Sequence, residues 1–157
     1  MDELARSIVK WVSLRERSEF EVRVRLQTLE TDASRIAQAI QALQQTGFLS
    51  KDRFIRAVVR DQLRKRKGPT AIVKALKQRH RIEISEWEIE RIAEEEYLDF
   101  TPEAVQLLRR KRRQVRGEWP REKRLRFLLN RGYSMERAKE ALHIFEHEEK
   151  EGHAAES

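Results

Sequence analysis

The amino-acid sequence predicts an all-α protein, an elongated tandem array of three three-helix repeats built from helix-turn-helix-like units. Three observations point there. Apolar residues recur at intervals of three and four instead of alternating, which is the spacing of a helix face and not of a strand. Only five Gly and three Pro occur in 157 residues, little material for a hairpin-rich fold. The apolar anchors Leu26, Leu76 and Leu128 stand 50 and 52 residues apart, a period that fits three helices of about 10 to 15 residues with short loops. Composition adds the elongation: charged residues make up 39% of the chain, against roughly 25% in an ordinary globular domain, so a single compact globule would be short of apolar surface to bury.

The expected repeats are residues 1–50, 51–100 and 101–146, followed by an acidic tail, 147–157, expected to be disordered. In the first, Ser18-Glu19-Phe20-Glu21 reads S-x-x-E, a capping box in which the hydroxyl accepts from a first-turn N–H and the carboxylate reaches back to the cap. Val22 and Leu26 carry that helix to Glu30. Asp32 caps the next, whose stripe is Ile36, Ile40 and Leu43, and Gly47 stops it in a left-handed conformation. In the second repeat Ser50 caps a helix with Phe54, Ile55, Val58, Val59 and Leu63 on one face. Gly68-Pro69 leaves a backbone opening before a helix anchored by Ile72 and Leu76, and Ser85-Glu86-Trp87-Glu88 repeats the capping box. In the third, Thr101-Pro102-Glu103 supplies an N-cap, a proline at the first helical position and a carboxylate at the positive end of the dipole. Leu125, Leu128 and Leu129 form the next stripe, Gly132 stops that helix and Ser134 caps the last. About nine helices result.

Charge is laid out in blocks. Residues 1–50 carry seven Lys and Arg and seven acids; 51–81 carry twelve against two, 82–108 one against nine, 109–131 eleven against two, and 132–157 three against seven. The formal net charge of +7 is the small remainder of these opposed blocks. In the first basic block Arg53, Arg56, Arg60, Arg64 and Lys67 follow at helical intervals of three and four, along a face opposite Phe54 and Val58, and Lys74 and Lys77 extend the stripe on the next helix. Such a line matches a row of phosphates or an acidic groove; it serves equally as a solvated face neutralised by acids from a helix over 83–99. The second block, Arg109-Arg110-Lys111-Arg112-Arg113 with Arg116, cannot set all its cations on one face. Lys111 or Arg112, in apolar register between Leu108 and Val115, must therefore snorkel its head outward. Arg109, Arg113 and Arg116 would project together with Trp119 nearby, an aromatic that can stack on a base or pack between helices. Glu94-Glu95-Glu96 and Glu146, Glu148, Glu149 and Glu151 read as a solvated face and a fraying end.

Several chemistries are excluded. The absence of Cys removes disulfides, thiolate metal sites and Cys nucleophiles and fits a reducing cytoplasm. The first residues lack the basic and apolar regions of a signal peptide, and no apolar run approaches the roughly 20 residues of a membrane span, so a cytoplasmic monomer with no membrane partner is expected. The five glycines permit neither a P-loop nor G-x-G-x-x-G. No G-x-S-x-G occurs, and no carboxylate pair stands in an apolar stretch. His143, His147 and Glu140 share one side of a helix, but no further ligand cluster accompanies them. The expectation is a protein with no catalytic residue, no cofactor and no metal, and not an enzyme.

Four segments then stand in a telling order. Arg17-Ser18-Glu19-x-Glu21-Val22 is followed by Gly47-Phe48-Leu49-Ser50-Lys51-Asp52-Arg53-Phe54. Arg66-Lys67-Gly68-Pro69 comes next with Ile72 and Leu76, and the last runs from Arg124 through Phe127-Leu128 to Arg131-Gly132-Tyr133. In order they resemble the RecX family's R-S-E-x-E-L, G-x-L-D-D-x-R-F, K/R-x-x-G-P-x-x-I-x-x-x-L (Lys65 at its first position) and R-x-x-x-F-L-x-x-R-G-[FY] (with one residue fewer between Arg124 and Phe127), over about Leu4 to Phe145. The resemblance implies three tandem three-helix repeats and an activity as a modulator, usually an inhibitor, of the RecA recombinase filament. It would damp recombination, ATP turnover and coprotease activity. The implied partners are the RecA filament and single- or double-stranded DNA, met directly or through the filament. The implied contacts are Arg53, Arg56, Arg60, Arg64, Lys67, Lys74 and Lys77 from the first block and Arg109, Arg110, Arg112, Arg113, Arg116, Arg124 and Arg131 from the second. Ser50 and Lys51 depart from the family's two Asp, and Ala71 from a frequent basic residue. Glu30 and His80 replace Gly, implying less sharp turns in the first two repeats. A stand-alone DNA-binding helical-repeat protein is the alternative, and a structural adaptor with its charge blocks paired internally is a third reading.

Overall fold

The structure is a computed structural model that describes the backbone of residues 1–156 and the side chains of residues 1–152. Among the described residues it holds ten α-helices and no strand, in agreement with the all-α expectation. The order is α1 (Glu3–Ser7), α2 (Val9–Ser13), α3 (Glu19–Gln27), α4 (Ala33–Gln45), α5 (Lys51–Arg64), α6 (Pro69–His80), α7 (Glu86–Glu95), α8 (Phe100–Gln114), α9 (Arg121–Asn130) and α10 (Met135–Glu156). None is long and apolar enough to cross a membrane.

The helix starts are local chemistry. Ser18 and Glu21 form the full capping box at α3. Asp32 accepts from the Ser34 amide at 2.9 Å, Ser50 from Arg53 at 3.2 Å, Ser85 from Glu88 at 3.1 Å, and Ser134 from Arg137 at 3.2 Å. Thr101 differs from expectation. Asp99 caps α8 by accepting from the Thr101 amide at 3.0 Å, because a carboxylate two residues upstream meets the free first-turn N–H groups before the threonine can. Thr101 lies inside the first turn, buried, and its hydroxyl accepts from Arg137 at 3.2 Å.

The helix stops follow expectation at Gly47 and Gly132, both left-handed, and depart from it after α6. There Arg81 takes a left-handed φ of 56°, and the Ile82 amide reaches back to the Leu76 carbonyl at 3.0 Å. The turn is therefore tight without a glycine. The segment 147–156, expected as disordered tail, continues α10 as helix; Ser157 lies outside the described residues.

The chain divides into two compact units, Met1–Val58 with Leu76–Ile82, and Val59–Ala75 with Glu83–Ser157. In the first, α1 and α3 pack on α4 around Ala5, Ile8, Val22, Leu26, Ile40 and Leu43. In the second, α8, α9 and α10 pack against one another, burying Phe100, Leu108, Leu128, Ala138 and Leu142. The anchors Leu26, Leu76 and Leu128 are all fully buried, each the kind of side chain whose removal leaves a cavity.

Candidate nucleic-acid interface

The first stripe is not uniformly free. Arg53 donates from Nε to Glu16 Oε1 at 2.8 Å and from Nη2 to the Gly47 carbonyl at 2.6 Å, tying the α4–α5 loop to the segment before α3. Arg56 lies 3.1 Å from Asp52, one turn back. Arg60 meets Glu96 at 3.2 Å, so the acid run 94–96 is not simply solvated. Arg64, Lys67, Lys74 and Lys77 have no carboxylate within ion-pair distance among the described residues, and all but Lys67 are exposed. The stripe thus divides into three arginines held by the fold and four cations that are available.

The second block divides in the same way. Arg109 forms a bidentate pair with Glu148, which raises its own pKa and lowers that of Glu148 through their mutual hydrogen bonds. Arg124 is drawn inward. It donates from Nε to the Trp119 carbonyl at 2.7 Å, pairs with both oxygens of Glu149, and lies 5.3 Å and 5.1 Å from the ring centres of Trp119 and Phe145. Its side chain is only 12% exposed, which suits a clamp more than a surface contact. Arg121 adds a pair with Glu146. Three carboxylates of α10, Glu146, Glu148 and Glu149, are thus paired with arginines where the sequence predicts solvated acids.

The crowding of cations in α8 is resolved twice over. Lys111 sets its Nζ 5.7 Å from the centre of the Phe127 ring, and Arg112 donates to the Gly117 carbonyl at 3.0 Å, so both heads escape the apolar register. Arg110, Arg113 and Arg116 are exposed and have no carboxylate partner among the described residues. Trp119 packs between helices, buried and edge-on to Phe127 and Phe145. Among the described residues the exposed aromatics Phe, Trp and Tyr are Phe48, Trp87 and Tyr97, none of which the sequence pattern singled out as a stacking candidate.

Gly68 and Gly132 place the two blocks of the second unit in contact. The Gly68 amide donates to the Arg131 carbonyl and the Thr70 amide to the Gly132 carbonyl, each at 2.9 Å. A Cβ on Gly68 would fall 2.3 Å from backbone atoms of Gly132 and Tyr133. The opening expected at Gly68-Pro69 is therefore filled by backbone. Beside this junction Lys65, Arg66, Arg110, Lys111 and Arg131, with Gln114, line a cleft of about 260 Å³ walled by Leu107 and Phe127. Arg66 holds a left-handed φ of 60°. Its Nε lies 3.1 Å from Glu103 Oε2 but out of line for a hydrogen bond. Burial, with the Glu103 charge adding to it, pushes the nearby Tyr133 hydroxyl well above its ordinary pKa. Lys65, Arg66, Lys111 and Gln114 are the polar cleft residues absent from the contacts that the sequence implies. The signal for Lys65 and Arg66 was adjacency to Gly68-Pro69.

Among the described residues no group of three or more His, Asp or Glu is arranged to hold a metal ion. His147 lies 3.1 Å from Glu151 instead.

A crystal structure of RecX from Lactobacillus salivarius matches this chain with a TM-score of 0.75, over 92% of this chain and 95% of that one, at 19% identity. The chain has the RecX fold. No protein-family model and no curated protein sequence matches it. Placed on the RecX-like fold, the four motifs are structural. Arg17, buried, clamps the Trp11 carbonyl at 3.0 Å and stacks on the Trp11 ring, while Ser18 and Glu21 start α3. Arg53 closes the loop that Gly47 begins, Gly68 receives Gly132, and Arg124 anchors Trp119.

Proposed function

We propose that the protein regulates the RecA recombinase by binding its nucleoprotein filament, and that it damps recombination, ATP hydrolysis and coprotease activity by occupancy and not by catalysis. The observation that carries this reading is the RecX-like fold across 92% of the chain, joined to four motifs that resemble that family's in order. Two basic regions supply the contacts. Arg64, Lys67, Lys74 and Lys77 are the cations of the first block and Arg110, Lys111, Arg113, Arg116 and Arg131 those of the second that lack carboxylate partners in ion-pair reach among the described residues. We read the three-helix repeats 1–50, 51–100 and 101–146 as the units that present them. The protein acts as a cytoplasmic monomer, needing neither metal nor cofactor.

The test is ATP hydrolysis by RecA on single-stranded DNA. Suppression is expected at substoichiometric protein, and no effect at equimolar protein would refute the reading. The stand-alone DNA-binding alternative is favoured by the unpaired cations themselves; it predicts tight DNA binding without RecA and a steep salt dependence.

A further inference from the structure

We infer that the cleft formed by the α5–α6 loop, α8 and α9 is a built phosphate-binding site. The proposal rests on the filament reading, since it names what one of its basic regions takes. Several other arginines of this unit are answered by carboxylates, Arg109 by Glu148, Arg121 by Glu146, Arg124 by Glu149 and Arg137 by Glu90; Arg113 and Arg116 are not, but they line no cleft with the residues below. Two other clefts mix both signs in their walls, one with Glu146 and Glu149, the other with Glu90, Glu94 and Asp99. The cleft of Lys65, Arg66, Arg110, Lys111 and Arg131 has no carboxylate in its lining.

Two of its five charges have acids outside the lining. Lys65 shares a solvent-exposed pair with Asp61, which screens it little, and Arg66 has Glu103. Among the described residues Arg110, Lys111 and Arg131 have none. Lys111 and Arg131 each stand 5.7 Å from the centre of the same Phe127 ring. The ring attracts both cations of the cleft without neutralising either. A compact anion arriving between them gains attraction from several cations at once in a partly walled space, where Coulomb forces are less screened than on open surface. Gln114 adds an amide donor. The volume, about 260 Å³, lies below that of drug-sized ligand pockets and suits a phosphoryl group with its waters. That group belongs either to a nucleic-acid backbone or to a free phosphate compound.

The experiment uses the full chain labelled with ¹⁵N, following the Nε–Hε signals of Arg66, Arg110 and Arg131 during titration with inorganic pyrophosphate. Saturable shifts at these three are expected, weakened about tenfold or more in the R110Q/K111Q double variant and in R131Q. The K123Q/K139Q variant, which removes two exposed cations of the same unit outside both basic regions, should titrate like wild type. No shift at the cleft, or equal weakening in both sets, overturns the proposal. R110Q/K111Q changes an exposed and a half-exposed side chain, and an unchanged amide spectrum away from the cleft shows that it folds. A short single-stranded oligothymidylate is then added. Displacement of pyrophosphate from the same signals assigns the site to nucleic-acid phosphate; shifts that persist overturn nucleic acid as the source and leave a free phosphate compound. Protein that suppresses RecA without these shifts keeps the filament reading and loses the cleft, whereas cleft shifts without suppression do the reverse.

Discussion

Three glycine substitutions separate what a left-handed backbone costs from what a close approach costs. At Gly47, φ is +82° and a Cβ would meet nothing within 4 Å, so Gly47→Ala pays conformational strain alone, about 1–2 kcal/mol. Gly68 has no positive φ, but its Cβ would sit 2.3 Å from the Gly132 carbonyl carbon and oxygen and from the Tyr133 nitrogen. These are backbone atoms that cannot rotate away. Gly68→Ala must therefore push the α5–α6 loop off the α9–α10 loop, at about 1–3 kcal/mol for overpacking, and stretch two 2.9 Å backbone bonds worth about 1 kcal/mol each. A loss of about 3–5 kcal/mol follows, a large share of a stability of about 5–15 kcal/mol. Gly132→Ala combines both faults, since φ is +91° and its Cβ would meet the Ala71 nitrogen and Cβ at 2.5 Å. The predicted order of damage is Gly47→Ala, then Gly68→Ala, then Gly132→Ala. Urea unfolding followed by tryptophan emission and far-UV circular dichroism measures it; Trp119 reports on the unit that holds both Gly68 and Gly132. A Gly68→Ala variant within about 1 kcal/mol of wild type would refute the reasoning, because the junction would then be soft enough to open.

Burial holds His80 below its ordinary pKa, with Glu21 opposing and Arg15 and Arg79 assisting, so the unfolded chain takes up the proton first. The stability carried by the neutral ring, bonded to Ser18 Oγ at 2.8 Å and edge-on to Phe54, is full above about pH 6.5 and drains away as pH falls toward the depressed folded value. Melting temperature should decline as pH falls from about 6.5 toward 5.5, and the decline should flatten in His80→Asn; an equal decline in the variant would show that another group is responsible. Arg124→Ala should cost about 2–3 kcal/mol through loss of the charged bond to the Trp119 carbonyl, while Arg113→Ala should stay within about 0.5 kcal/mol, both read by urea unfolding. In the RecA ATPase assay, Lys74→Glu with Lys77→Glu should raise the protein needed for half-suppression on the order of tenfold. Gln at Arg53, a cation already tied to Glu16 and Gly47, should leave it nearly unchanged.

Local signals were legible in the chain because the atoms that satisfy them lie within a few residues. Ser18, Asp32, Ser50, Ser85 and Ser134 cap the helices their positions announce, and Thr101 was misread only because Asp99 reaches the same amides first. Charge was legible as blocks but not as availability. Whether an arginine is free depends on a carboxylate that stands 37 residues away at Glu16 for Arg53, 36 at Glu96 for Arg60, and 39 at Glu148 for Arg109. No local period encodes those distances.

The same distinction bears on the resemblance. The residues that carry it, Arg17, Ser18, Arg53, Gly68, Arg124 and Gly132, are the ones the structure uses to clamp a carbonyl, start a helix or let two loops touch. A pattern made of such residues reports how a backbone is assembled, which is why it agrees with a solved fold at 19% identity. It says less about the partner. A surface that grips a polyanion needs cations left without carboxylates, and of those proposed here Lys77, Arg110, Lys111, Arg113 and Arg116 stand outside the motifs and Lys74 at a position the third motif leaves open. Variation at these six positions would retune binding while leaving the fold intact, whereas variation within the motifs would first cost stability.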